Sequence, residues 1–433
     1  AKPGVLAWGR RLYRVDVANG KAVGRIEAAL GMIGLAALAA TYFLVSGKNP
    51  LPALGKAMQS WLDKANTLSA PEPAWRQRLG EPPSAAVIVG RTVVFTTPSG
   101  AEARNASSGN VLWTRPARWV AVAGDTVLLG KGRNSGYDAV DPTTGAVRWH
   151  DGGLAVWAYR DGLLSLDCPA GKDCALSRRS TVGGGAEWKV SLPNAVRSLA
   201  GAHASPDAVP PVLGFPVEDR VDVVNTATGA RLREEPTSGA KVTVLGGRIL
   251  RSTATRHDED CKLSIEARDP EGGRTIWKKT GYGLGTAPAS ACAQGRSPVG
   301  AGTVIVTVRA DNRPALLSTA DGHDIWVGAP GQTVLALDTR AAVVRSADRR
   351  SVTLINLATG DQAWTHQIGG EVTLATDAVV VNDADAGRLV GYDRSGGTTL
   401  VDVKTQASVL GAGAGGVVLG QDRTVGVLPY GRG

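Results

Sequence analysis

The chain has 433 residues, with 56 glycines, 11 tryptophans and only 3 phenylalanines. Abundant glycine with few phenylalanines argues against a helical bundle and for many short strands joined by tight turns. The net charge of +9 is concentrated at the N-terminus and forms no basic stripe interleaved with aromatics, so nucleic acid is not the expected partner.

Residues 1–25 carry Lys2, Arg10, Arg11, Arg14, Lys21 and Arg25 against Asp16 alone, and read as a basic cytoplasmic tail. A transmembrane helix is expected over 26–46. Ala28 to Val45 is free of charge, and Tyr42 and Phe43 suit the far interface. The basic flank places the N-terminus in the cytoplasm and the rest of the chain outside it, as a single-pass membrane protein. A cleaved signal peptide is the rival reading, with an Ala-x-Ala site inside the apolar run near Ala37–Ala39. Residues 47–73 form a juxtamembrane linker. Pro50 and Pro52 break the helix, and Leu54, Met58, Trp61, Leu62, Ala65 and Leu68 recur at the spacing of a short amphipathic helix.

From residue 74 to 433 a nine-residue pattern repeats: a turn-forming Asp, Asn or Ser, three residues, Gly, three residues, Trp. Its tryptophans are Trp113, Trp149, Trp188, Trp277, Trp326 and Trp364. Its glycines are Gly109, Gly145, Gly184, Gly229, Gly273, Gly322, Gly360 and Gly397, spaced 36 to 49 residues apart. Two copies lack the aromatic: Arg233 replaces it in one, and Leu400 or Val401 in the other. Asp or Asn closes a tight turn through its side chain, and glycine takes the positive φ such turns need. The tryptophan then enters the next strand and wedges between repeats. Short apolar runs such as Val120–Gly130 and Val242–Leu250 precede the turns and read as strands. The spacing fits a four-stranded blade, so the fold class is all-β, a β-propeller. Trp75 stands near the linker with no repeat before it, and the C-terminal strands have no Trp strand after them. The two are expected to pair into one composite blade. Eight blades are favoured, with seven or nine the alternatives.

Asp141, Thr144, Gly145 and Trp149 are the copy that most resembles the tryptophan-docking repeats of quinoprotein (PQQ) dehydrogenases and BamB-like propellers. Asn356, Thr359, Gly360 and Trp364 follow. The resemblance implies eight blades as the usual number. From the BamB side it implies a role in envelope protein assembly. Those proteins are anchored by lipid on an N-terminal cysteine, which this chain replaces with a helix. From the dehydrogenase side it implies PQQ, a calcium ion, a catalytic Asp and vicinal cysteines, none of which the repeats carry over.

Four cysteines follow the apolar segment: Cys168, Cys174, Cys261 and Cys292. Disulfides are expected outside the cytoplasm, and three pairings are possible. Cys168 with Cys174 suits a local hairpin staple, which leaves Cys261 with Cys292; four unpaired thiols are the alternative. No Cys-x-x-Cys spacing suggests zinc.

The candidates for chemistry read as structure. His257 to Asp260 is a solvated loop, and Asp383, Asp385 and Gly387 form a turn without the rest of a calcium loop. His150 and His366 are strand residues, and the sequon at Asn105 is the repeat's own turn. No catalytic, cofactor-binding or metal residue is assigned. The expected function is a non-catalytic extracytoplasmic binding or scaffolding module for a protein or cell-envelope partner. The insertions at 201–220 and 281–300 are its expected contacts. A PQQ-dependent dehydrogenase and a sensor domain of a membrane complex are the alternatives.

Overall fold

The computed structural model describes residues 4–8, 11–15, 73–132, 136–199, 201–205, 207–257, 260–285 and 299–431. The chain divides into two units, Ala1–Thr67 and Leu68–Gly433. Of the first, an antiparallel hairpin is described, Gly4–Trp8 with Arg11–Val15, where the sequence suggested only a tail. The apolar segment 26–46, and the linker 47–73 apart from Pro73, lie outside the described residues. Among the described residues no helix is long and apolar enough to cross a membrane.

The second unit is a β-propeller of nine blades. Blade 1 holds Ala85–Val89, Thr92–Thr97, Gly100–Asn105 and Val111–Arg115, each strand antiparallel to the next. Blades 2, 3 and 5 to 8 begin at Trp119, Ala155, Lys241, Tyr282, Thr333 and Glu371 and follow the same path, except that in blade 6 the first strand is in two pieces, Tyr282–Leu284 and Gly300–Ala301. Blade 9 takes Ser408–Gly413, Gly416–Gln421 and Thr424–Pro429 from the C-terminus. Its outer strand is Trp75–Arg78, with Trp75 opposite Val427, so the ring closes as a composite blade. The count of nine corrects the expectation of eight. Both degenerate turns, at Gly229 and Gly397, still carry a blade, because the strands and the turn glycine survive the loss of the aromatic.

Blade 4 is the irregular one, with three strands, Val212–Val217, Arg220–Asn225 and Arg231–Pro236. The segment that would begin it, Gly201–Ala204, pairs instead with the first strand of blade 3, in parallel.

The second strand of most blades is buried on both faces, as in Thr126–Gly130 and Val304–Val308. This explains why these strands read as continuous apolar runs rather than alternating ones. The core is divided among the seams between blades. Val94, Trp113 and Val127 join blades 1 and 2, and Val380, Leu389 and Leu419 join blades 8 and 9. No single blade could bury both of its faces alone.

The repeat motif is the device that joins the blades. In all eight copies the glycine N–H donates to the carbonyl of the residue four before it, as Gly145 does to Asp141 at 2.9 Å. The glycine φ values run from 66° to 76°. Asp141 Oδ1 accepts the N–H groups of Thr143 and Thr144, both at 2.9 Å. Each turn is followed by a one-residue register shift, which aims the tryptophan at the next blade.

Trp75 packs on Gly109, Trp113 on Gly145, Trp149 on Gly184, Trp188 on Gly229, Trp277 on Gly322 and Trp364 on Gly397. Each indole N–H donates to the carbonyl three residues before that glycine, for example Trp113 to Pro142 at 2.9 Å and Trp277 to Thr319 at 2.9 Å. A Cβ on Gly145 would stand 2.5 Å from the Trp113 ring, so glycine serves both the turn and the docking.

The missing aromatics now have reasons. Val401 precedes the composite blade, whose last turn is interrupted by the chain ends and offers no glycine seat. Arg233 does reach a seat: its guanidinium covers Gly273. Trp326 is the exception among the tryptophans, because Ile325 and not its ring meets Gly360.

Candidate binding site

The polar groups at the seams are spent on structure. Glu235 is fully buried. Its Oε2 accepts from Arg233 at 2.8 Å, and its Oε1 accepts from Arg251 at 2.8 Å and Arg268 at 3.0 Å. Three guanidinium groups and several hydrogen bonds are what a carboxylate needs to remain charged in such a place. Asp151, also buried, accepts from Ser165 at 2.9 Å and pairs with Arg179. Arg104 donates to the Gly109 carbonyl at 2.7 Å and lies 5.9 Å from the Trp75 ring. Apart from Arg233 at the motif's aromatic position, the charged residues of these networks did not stand out in the sequence, because their partners lie one blade or one strand away.

Cys168 and Cys174 form a disulfide with an S–S distance of 2.02 Å. Cys292 and the Cys261 side chain lie outside the described residues, as do the side chains of His257 to Asp260. Asp383 Oδ1 accepts the Ala386 N–H at 2.9 Å and closes a turn. His150 pairs with Asp138 at 2.7 Å, and His366 stacks on Tyr392 at 3.8 Å beside Trp364. Asn105 Oδ1 accepts the N–H groups of Ser107 and Ser108, both at 3.0 Å, as the repeat's turn. Among the described residues no three His, Cys, Asp or Glu side chains cluster as a metal site.

The insertion between blades 3 and 4 is the most distinctive surface. Gly201 lies opposite Ala155 and Ala204 opposite Ala158, and His203 stacks on Trp157 at 5.4 Å. Ala202, His203 and Ala204 are exposed, and no further described strand pairs with their outer edge. Beyond them the chain becomes a strap. Ser205 N–H donates to Ala158 O at 2.9 Å, Arg160 N–H to Asp207 O at 2.9 Å, and Val209 N–H to Asp161 Oδ1 at 2.7 Å.

Asp207 lies near blade 7, where its carboxylate faces the Thr339 N–H and Asp338. Burial and the Asp338 charge push its pKa up. Burial would raise Asp338 as well. Arg394, binding both Asp338 oxygens at 2.6 and 2.9 Å, and the N–H groups of Arg340 and Ala341 together outweigh it and lower the pKa. The second expected contact, 281–300, is described only at its ends.

Cavities are modest. One of about 340 Å³ lies between blades 2 and 3, beside Trp119, Tyr137 and Gly201. Another of about 320 Å³ lies between blades 6 and 7, beside Arg313, Trp326 and Gln362.

Comparison with known proteins places these repeats. Residues 262–407 match the family model described as outer membrane protein assembly factor BamB. That segment of the propeller is similar to BamB-type, PQQ-like repeats. Among solved structures it is similar to BamB from Moraxella catarrhalis, at 14% identity and a TM-score of 0.36, over 78% of this chain and 100% of that one. A eukaryotic initiation factor matches at 11% identity and a TM-score of 0.49, over 83% and 94% of the two chains. A europium-containing methanol dehydrogenase matches at 11% identity and a TM-score of 0.36, over 81% and 85%. No curated protein matches the chain.

Proposed function

We propose that this protein is a non-catalytic, extracytoplasmic binding or scaffolding propeller, anchored in the membrane by residues 26–46 with its N-terminus in the cytoplasm. The observation that supports binding is the exposed strand Gly201–Ala204, laid along blade 3 with an open edge. An open edge offers backbone N–H and C=O groups to an extended segment of a partner, and His203 and Trp157 beside it offer side-chain contacts. The strap that follows, hydrogen-bonded to blade 3, holds this edge in place.

The experiment is crosslinking from position 202 in intact membranes. A photo-crosslinker there is expected to capture a discrete envelope partner, and affinity capture of that partner on the chain without crosslinker is expected to be lost when 201–211 is replaced by a Gly-Ser linker, without unfolding of the ring. Capture that survives the replacement defeats the reading. Thiol labelling from outside intact cells tests the orientation. A cysteine at Lys172 should label and one at Lys21 should not.

A further inference from the structure

Six of the motif tryptophans do the same work, seating the ring on a glycine of the next blade and donating the indole N–H to a carbonyl. Trp326 does neither. The equivalent carbonyl belongs to Leu357, whose buried side chain packs with Ile325 at the seam between blades 6 and 7. Those two aliphatic groups fill the junction. The Trp326 ring folds back over Gly328 and Pro314; a Cβ on Gly328 would stand 2.5 Å from it. Its strand ends a residue later, at Val327. The ring is half-buried, and its N–H has no acceptor among the described residues.

A cleft of about 320 Å³ opens beside this ring. Its walls carry Arg313, Gln332, Thr353 and Gln362. Arg313 Nε donates to Gly328 O at 2.7 Å, which fixes the guanidinium and leaves its outer nitrogens facing away from that bond. Gln332 Oε1 accepts the Ala329 N–H at 2.7 Å, which leaves its amide NH₂ as a donor. Gln362 is exposed, and its amide bonds no described group. The volume is at the lower end of the range for small-molecule sites.

We infer that this cleft binds a pyranose unit of a glycan. A sugar ring has an apolar C–H face that stacks on an indole, and a rim of hydroxyls that both donate and accept. An aromatic plate beside fixed amide, guanidinium and hydroxyl groups matches both features. A tryptophan released from the docking duty of its equivalents supplies the plate. The cleft lies on blades 6 and 7, apart from the strand Gly201–Ala204, and stands independently of the partner-binding reading.

Titration of the full chain in detergent with chitotetraose, maltohexaose and the N-acetylglucosamine–N-acetylmuramic acid disaccharide tests it, read by calorimetry and tryptophan fluorescence. At least one sugar is expected to bind and change the indole emission. Trp326→Ala should weaken that binding ten-fold or more. Gln362→Ala, an exposed change that leaves the seam intact, should weaken it roughly five-fold, the size of one neutral hydrogen bond. Binding by none of the three sugars overturns the inference, as does binding unchanged in both variants. Trp326-dependent binding of decaproline in place of sugar also overturns it, and assigns the cleft to an extended peptide.

Discussion

Arg233 covers Gly273 in the seat that Trp188 takes over Gly229 one blade earlier. A cation can replace an indole at a blade seam because Glu235, two residues on, enters the same seam fully buried and binds it. The docking geometry is therefore a property of the turn, and the chemistry of the wedge can change provided its charge is answered.

Removal of that answer should be costly. Glu235→Ala would leave Arg233, Arg251 and Arg268 facing one another in a buried place. It should destabilise the ring by about 3–5 kcal/mol. Arg233→Ala leaves Glu235 with two partners and should cost less. Urea denaturation of the two variants checks the order, and equal midpoints would show that the network is not acting as described.

The seated and unseated tryptophans should differ in the same assay. Trp113→Ala removes a buried ring and should cost about 3–5 kcal/mol. Trp326→Ala removes a half-buried ring with no glycine seat and should cost clearly less. Gly145→Ala should resemble Trp113→Ala, because it strains a φ of 68° and drives a methyl group into the Trp113 ring.

Asp141 ties the motif turn to acid stability. The Thr144 N–H and the Arg148 guanidinium, opposed by burial, hold its pKa at about 2, below the ordinary aspartate value of 3.8. The folded pKa is depressed, so the stabilisation is present above about pH 4 and is lost as pH falls through about 2. Asp141→Asn should lower the melting temperature at pH 7, and the gap from the parent should close as pH falls towards 2. Melting curves across that window check the sign; a gap constant with pH would contradict it.

Asp207 has the opposite sign. Its pKa is raised by burial and by Asp338, despite the Thr339 N–H and Arg160. Its contribution is fully present below its unfolded pKa and falls away as pH rises through the folded value. The groups facing it are Asp338, the Thr339 N–H, Arg160 and Ser205. Hydrogen exchange at residues 205–209, corrected for its intrinsic pH dependence, should show a strap better protected in mild acid than at neutral pH. In Asp207→Asn that difference should vanish.

A nine-residue motif recurring every 36 to 49 residues was enough to show a propeller in the sequence. Each turn needs only local chemistry: an Asp or Asn side chain, a positive-φ glycine and a tryptophan four residues later. The composite blade was legible for the same reason, since Trp75 is a Trp strand without a turn and the C-terminal strands lack a Trp strand. The count of nine was not, because a degenerate turn at Gly229 or Gly397 does not reveal whether strands still surround it. Seats, seams and strap belong to the tertiary structure. Whether Trp326 docks depends on how its neighbour Ile325 meets Leu357 of the next blade, and whether Arg233 is tolerated depends on Arg251 and Arg268 around Glu235. Gly201–Ala204 carries no pattern that would send it to the edge of blade 3 rather than the start of blade 4. Packing around the ring decides it, through contacts far apart in the chain that no local spacing encodes.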